Sequence, residues 1–432
     1  MAGKKEIDKT PAAKKALDIE WDKLVKAGVW DEKHPREWSA LSSEARKNGR
    51  TIHIGRVFEI CVEKGSELSP GDPGRKYKGR SVFQGNNVKD QNYDHAIFQE
   101  LGSNPASLTA SKLADAYGLV KGHTVQQADA QQAYINAKLN TTETWVRLPP
   151  NRVPPQWKHM RDPVFRLVLA LYGHPESGGH WEIFADAFLK KEGWTAVSVD
   201  AFRSVYWHKV LKTILVLYVD DFRISGPTTS MKRAWETITR HVKLGEIEES
   251  AKFLGCQHSL SSQIIPAGGD PWRKYAAAEL KNCKTTKINI MTYDMESFLM
   301  SCIDKYKELT NVKHLPHVDT PFIDEAKADK EYAAASYKLE DADKTGSAVR
   351  PAKTNKKDKP EVSSNTTEGS IKELEGILKP IAARVIMKVF YAARLARWDL
   401  LRAIGMLATR ITKWSRWDDK VLHRLMLSLI HI

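Results

Sequence analysis

An α+β fold built around an antiparallel sheet is predicted for this chain of 432 residues, and three observations predict it. Strand-like and helix-like segments alternate in a mixed, non-periodic order. The run TILVLYVDDFRISG carries apolar residues on both sides of two aspartates, which reads as a hairpin with its acidic pair at or near the turn. No internal repeat is visible.

The elements follow in order. Leu17, Trp21, Leu24 and Val25 stand at helical spacing and stop at Gly28, a helix with a glycine cap. Residues 52–62 read as a strand pair, the run from Ser66 to Gly79 as a projecting basic loop, and RSVFQG as the strand after it. A helix is expected over 107–119 and an extended segment from Val125 to Ala130. TWVRL and VFRLVLALY read as further strands. A helix then shows Trp181, Phe184 and Phe188 on one face and ends at Gly193, with a strand around Ser204–His208. After the acidic hairpin comes a helix with Met231, Trp235, Ile238 and Val242, closed by Gly245. From about Asp324 to Gly369 the chain is charged and nearly devoid of large aliphatic residues, so it cannot bury enough apolar surface to offset its ordering entropy. Helical spacing resumes with Ile377, Ile381, Val385, Leu395, Ile404 and Leu407.

Composition narrows the function class. Hydrophobic residues make up 42% and charged residues 28%, which excludes collagen and a disordered acidic tail. No apolar run approaches the roughly 20 residues a bilayer span needs, and the Lys-rich start has no apolar stretch behind it. An intracellular protein, cytoplasmic or nuclear, neither secreted nor membrane-bound, is expected. Cys61, Cys256, Cys283 and Cys302 show no metal-knuckle spacing. Lys+Arg exceed Asp+Glu by 67 − 53 = 14, and residues 371–432 hold 12 of the bases against 5 acids, half of the surplus. Such a surplus points to an anionic partner, nucleic acid being the commonest, with a merely basic surface as the plain alternative.

Chemistry concentrates at Asp220 and Asp221. Two adjacent carboxylates on a hairpin repel each other unless a hard cation neutralises them, and oxygen-only ligands favour magnesium. A solvated turn explains such a pair equally well. Asp129, in QQADAQQAYINAKL, supplies a third acid where a strand runs into a turn or helix, and a helix N-cap is its plain reading. Three carboxylates from two strands are a set that holds two magnesium ions.

The order of motifs resembles the reverse transcriptase of copia-type long-terminal-repeat retrotransposons. YVDD is similar to that family's polymerase signature, and DAQQAYINAKL to the pattern around its first aspartate. Further matches fall in the family's order: YKGRSVFQG, LALYGHPESGGHW, the Gly193–Trp194 pair, FLG at Phe253–Gly255 and the Thr320–Pro321 pair. The resemblance implies a right-hand polymerase of fingers, palm and thumb, with a ferredoxin-like antiparallel palm sheet. It implies an RNA-directed DNA polymerase that uses magnesium, or manganese in its place, with an RNA template, a DNA primer and deoxynucleoside triphosphates. Asp129, Asp220 and Asp221 would be the catalytic metal ligands. Lys78 and Arg80 would clamp the triphosphate, Tyr134 would pack under the sugar, and Glu176 would lie beside the nucleotide. Tyr218 would stand near the primer terminus, while Arg394, Arg397, Arg410, Lys413 and Arg416 would follow the duplex phosphates. The residue-level alternatives are a solvated basic turn for Lys78 and Arg80, core for Tyr134, and helix packing for the C-terminal tryptophans, Trp398 above all.

The organisation expected is a helical lead-in over 1–50, fingers and palm over 51–260, a thumb-like region over 261–323, a disordered linker over 324–370, and a basic helical connection over 371–432. That connection is expected to be cut short before a ribonuclease H domain, so other Pol-derived domains are expected partners. The family pattern Leu-Lys-Gln-Ala-Pro-Arg is replaced by His174 to Gly179, so an amide becomes Glu176 and a cation becomes Gly179. An acid beside a triphosphate is unfavourable unless neutralised or turned away. Two alternatives follow: a degenerate remnant that only binds nucleic acid, and another palm-like nucleotidyl enzyme such as a cyclase.

Overall fold

The computed structural model describes residues 4–65, 72–98, 106–198, 204–249, 252–266, 285–323 and 375–429. The predicted linker and the tip of the basic loop, 66–71, lie outside the described residues. The chain divides into two compact units, Met1–Glu249 and Ser250–Ile432.

In the first unit, helix α1 (Pro11–Ala27) ends as its sequence predicts: Gly28 takes the left-handed conformation at φ 70° and its N–H reaches back to the Leu24 and Val25 carbonyls. After α2 (Trp38–Lys47), residues 53–64 form one continuous strand, β1 (His53–Lys64), and not a strand pair. It pairs antiparallel with β2 (Lys76–Phe83) along eight residues. After α3 (Leu108–Gly118) and β3 (His123–Asp129), β1 also meets β4 (Thr144–Arg147) in parallel, and β4 meets β5 (Pro163–Arg166) antiparallel. The strand expected over VFRLVLALY therefore stops at Arg166.

Alternating residues of β2 divide its faces. Lys78 and Arg80 share one, while Gly79 lies on the other, against α1. A side chain on Gly79 would put its first carbon 2.6 Å from the Ala16 carbonyl oxygen, so only glycine lets the helix sit this close. Gly79→Ala is expected to cost about 1–3 kcal/mol as α1 is pushed off the strand, read as a lower urea midpoint.

The second sheet is wholly antiparallel. It is built from β3, the chain after α4 (Ser177–Lys191), and the segment on either side of α5 (Met231–Thr239). Its strands are β6 (Trp194–Ala196), β7 (Val205–His208), β8 (Thr213–Tyr218), β9 (Asp221–Pro227) and the two-residue β10 (Glu248–Glu249), in spatial order β10-β3-β9-β8-β7-β6. Helices α4 and α5 cover one face, where Trp181, Leu189, Trp194, Phe222, Ile224, Trp235 and Ile238 form the core. Val242 joins that core, although α5 ends before it. On the opposite face Ala110 and Ala114 of α3 pack on Val205 and Val216. The antiparallel expectation holds for this sheet, and its acids lie on the α3 side.

In the second unit, a hairpin of β11 (Cys256–Pro266) and β12 (Thr285–Asp294) precedes α6 (Glu296–Thr310). Three further helices, α7 (Lys379–Leu395), α8 (Leu401–Thr409) and α9 (Arg416–Ser428), occupy the predicted C-terminal helical segment. Asp419 organises their start, accepting from the Ile377 and Leu378 amides and the Trp414 indole. Among the described residues no helix is long and apolar enough to cross a membrane.

Candidate active site

The acidic hairpin forms between two strands that both bury apolar side chains on the α4 and α5 face. Leu215 and Leu217 of β8 and Phe222 and Ile224 of β9 point into the core, so Val216, Tyr218, Asp221 and Arg223 between and beside them face the other way. Tyr218 pairs across the hairpin with Asp221, and Asp221 pairs in turn with Asp129 of β3. Residues directly opposite in neighbouring strands share a face. Three predicted site residues, separated by as many as 92 positions in the chain, thus stand side by side on three adjacent strands.

Val219 and Asp220 make the two-residue turn. Val219 has φ 57°, a left-handed conformation that costs a β-branched residue about 1–3 kcal/mol. Two hydrogen bonds hold it there: the Trp181 indole donates to the Val219 carbonyl at 2.6 Å, and the Ala130 amide donates to the Asp220 carbonyl at 2.6 Å. The tip that carries Asp220 is thereby tied both to α4 and to the end of β3.

The electrostatics match the crowding of charge. Burial first, then the neighbouring Asp129 and Asp220 carboxylates, push Asp221 up to about 7. Oxygen-only donors whose charges oppose one another fit a hard divalent cation, which would remove the repulsion that now falls on Asp221. As placed, no group of three acidic, histidine or cysteine side chains among the described residues closes into a metal cage. Asp129 and Asp221 meet, and Asp220 stands beside them at the tip.

Lys78 comes within electrostatic reach of Asp220, and Arg80 stands beside Lys78. The Lys78 ammonium is held below the usual lysine range by partial burial and by Arg80 and Lys64, while Glu20 and Asp220 pull the other way. The Tyr134 ring lies 4.8 Å from that of Tyr172, and the Arg80 guanidinium sits 5.6 Å over the Tyr172 ring. Burial and the Asp220 charge push the Tyr172 hydroxyl up to about 12. Tyr172 is held by its neighbours: Phe83 donates its amide to the Tyr172 carbonyl at 2.7 Å. Gly173 follows with φ 89°, where a side chain would strike the Phe83 carbonyl. A groove of about 1160 Å³ between α1, β1 and residues 147–152 contains none of these side chains.

Glu176 is not brought to this surface. It is 1% exposed at the start of α4, beside His53 and His180, which are themselves buried. Its own amide donates to His174 Nδ1, and burial, reinforced by His53 and His180, lowers His174 to about 3. The acid is thus buried among imidazoles and not exposed on the surface that carries Asp129, Asp220 and Asp221.

In the second unit the basic residues divide. Arg397 forks onto Asp399, and Arg410 is bonded to Asp418. Arg394 lies over the Phe390 ring, Arg416 acts on Asp419, and Lys413 is exposed. Trp414 is the packing tryptophan at 2% exposure, whereas Trp398 is 64% exposed, the reverse of the expectation for Trp398.

Sequence reasoning missed Tyr172, Trp181 as the residue that pins the turn, and Glu20, a half-buried acid of α1 beside Lys78 and Arg80. Tyr172 lay within a quoted motif, and its aromatic ring beside a glycine was the available signal. The other two depend on tertiary placement alone.

The profile of the family described as reverse transcriptase (RNA-dependent DNA polymerase) matches residues 61–296. Among relatives, the Transposon Ty1-BL and TyH3 Gag-Pol polyproteins of Saccharomyces cerevisiae are each 26% identical over 217 residues, covering 44% of this chain and 11% of their own length. Transposon Ty1-DR4 Gag-Pol polyprotein of the same organism is 26% identical over 217 residues, covering 44% of this chain and 12% of its length. The chain therefore spans about an eighth or less of the curated relatives it matches. With over half of its length matched, and with the copia-type motif order already on its strands, the chain belongs to the reverse transcriptase (RNA-dependent DNA polymerase) family.

Proposed function

We propose that this chain is an RNA-directed DNA polymerase that joins a deoxynucleoside triphosphate to a primer 3′-hydroxyl. The observation that carries the reading is the register of Asp129 opposite Asp221, with Asp220 at the adjoining tip. In this reading the antiparallel sheet is the palm and the β1–β2 sheet the fingers. Magnesium held by the three carboxylates would supply Lewis-acid activation of the hydroxyl and neutralise the leaving pyrophosphate. Lys78 and Arg80 meet the triphosphate with charge-assisted hydrogen bonds. Tyr134 and Tyr172 form the floor under the sugar, and Tyr218 flanks the primer end. The duplex partner engages the second unit through cations not already held by acids, Lys413 first among them.

The test is extension of a DNA primer on an RNA template with magnesium. The expected result is template-directed incorporation of deoxynucleotides. A folded protein that binds the duplex in a salt-sensitive way yet adds nothing would favour the remnant reading instead. Product formation from nucleotide alone would point to the cyclase-like alternative.

A further inference from the structure

Beneath the acids lies a fully buried ion pair that the proposed reaction does not use. Arg223 is 0% exposed and Asp115 1%. The guanidinium reaches Asp115 Oδ1 from Nε at 2.7 Å and from Nη2 at 2.6 Å, and donates from Nη1 to Gln127 Oε1 at 2.7 Å. Three elements meet here: Asp115 on α3, Gln127 on β3 and Arg223 on β9.

Burying such a pair is poor value for stability, because the desolvation of two charges largely cancels their attraction. Its placement suggests another role. Arg223 stands two residues beyond Asp221, Gln127 two residues before Asp129, and the two are directly opposed in the ladder. A one-residue slip of β9 against β3 would turn Arg223 to the apolar α4 and α5 face and bury a charge without its acid. A two-residue slip would carry Asp221 about 7 Å from Asp129 and take Arg223 away from Gln127. Only the observed register lets one guanidinium satisfy Asp115 and Gln127 together.

We infer that Arg223, with Asp115 and Gln127, is a register key: a set of positioning residues that fixes Asp221 opposite Asp129. Its bearing on catalysis rests on the polymerase reading above, but the register itself can be read without activity. The decisive variant is the double substitution Asp115→Leu with Arg223→Met, which removes both charges and leaves an apolar fill. Its urea midpoint is expected to equal or exceed the parent's, while amide exchange in peptides covering β3 and β9 accelerates at least tenfold and primer extension falls by a similar factor. Gln127→Leu keeps the ion pair and removes the cross-strand bond, so it serves if the double variant does not fold, with the same acceleration expected in the same peptides. Parent-like exchange in either folded variant overturns the register key. If the parent extends no primer, the polymerase reading fails, and the exchange measurement still decides the role of Arg223.

Discussion

Asp220→Asn and Asp129→Asn are each expected to lower primer extension by at least about 10³-fold, because each removes a carboxylate from the set that would hold the cations stabilising the transferring phosphoryl group. Loss of folding will not explain the effect. In the absence of divalent cation the acids repel one another, and burial adds to the penalty on Asp221. The sign follows from linkage. Asp221 binds its proton more tightly in the folded chain, with a value of about 7, than in the unfolded chain near 4. Its contribution to stability is therefore fully present below about pH 4 and is lost as pH rises through about 7. Asp129→Asn should flatten that fall. After allowance for solvent screening of a partly exposed group, it should raise stability at pH 7.5 by about 1 kcal/mol, or about 2–4 °C in thermal midpoint. The pairing of lost activity with gained stability is the measurement that counts. A variant that unfolds, or one that extends primers at the parent rate, would remove the catalytic assignment.

How much of this was legible in the sequence depends on how far apart the cooperating residues lie. The Gly28 cap, the acidic hairpin and the apolar face of α4 are local: each needs only a few neighbouring residues, and each forms where its pattern places it. Asp129 was readable as an acid near a strand end, but its meeting with Asp221 is a ladder contact that spacing does not encode. The strand expected over VFRLVLALY stops at Arg166 because an apolar run can be buried without a continuous partner strand. Beyond that point Leu167 and Leu171 enter the core from irregular backbone, pinned by single bridges such as Lys138 with Leu169. Glu176 shows the limit most plainly. Its type suggested an anion beside a triphosphate, yet the buried imidazole beside it, His53, lies on β1, more than 120 positions earlier, and could not be seen from the motif. Arg223 was invisible for the same reason, since an arginine in an apolar strand takes its meaning from Asp115, 108 residues away. Trp398 and Trp414 have the same composition signal and opposite burial, and only the packing of α7 to α9 separates them.

Trp181 is expected to separate catalytic geometry from bulk stability. Its ring is fully buried against Phe184 and Phe222, so Trp181→Ala should cost about 3–5 kcal/mol through the cavity left in the core. Such a variant would say little about chemistry. Trp181→Phe keeps most of the apolar volume and removes the indole N–H that meets the Val219 carbonyl. That bond opposes the left-handed strain at Val219, and its loss is worth about 1–2 kcal/mol. The strain is concentrated in the two-residue tip, so the tip relaxes while the strands below stay packed. Asp220 belongs to that tip and Asp221 begins the strand after it, which leaves the Asp129–Asp221 pair in register while Asp220 moves. A loss of about 1.4 kcal/mol in transition-state stabilisation is tenfold in rate. Trp181→Phe should therefore extend primers about tenfold more slowly at saturating nucleotide, with a urea midpoint lowered only modestly and with β3 and β9 still protected from exchange. This pattern is the converse of that expected for the Asp115→Leu and Arg223→Met double variant, in which the strands loosen. Extension by Trp181→Phe at the parent rate would show that the turn holds its conformation without the indole, and would shift that role to the Ala130 amide alone.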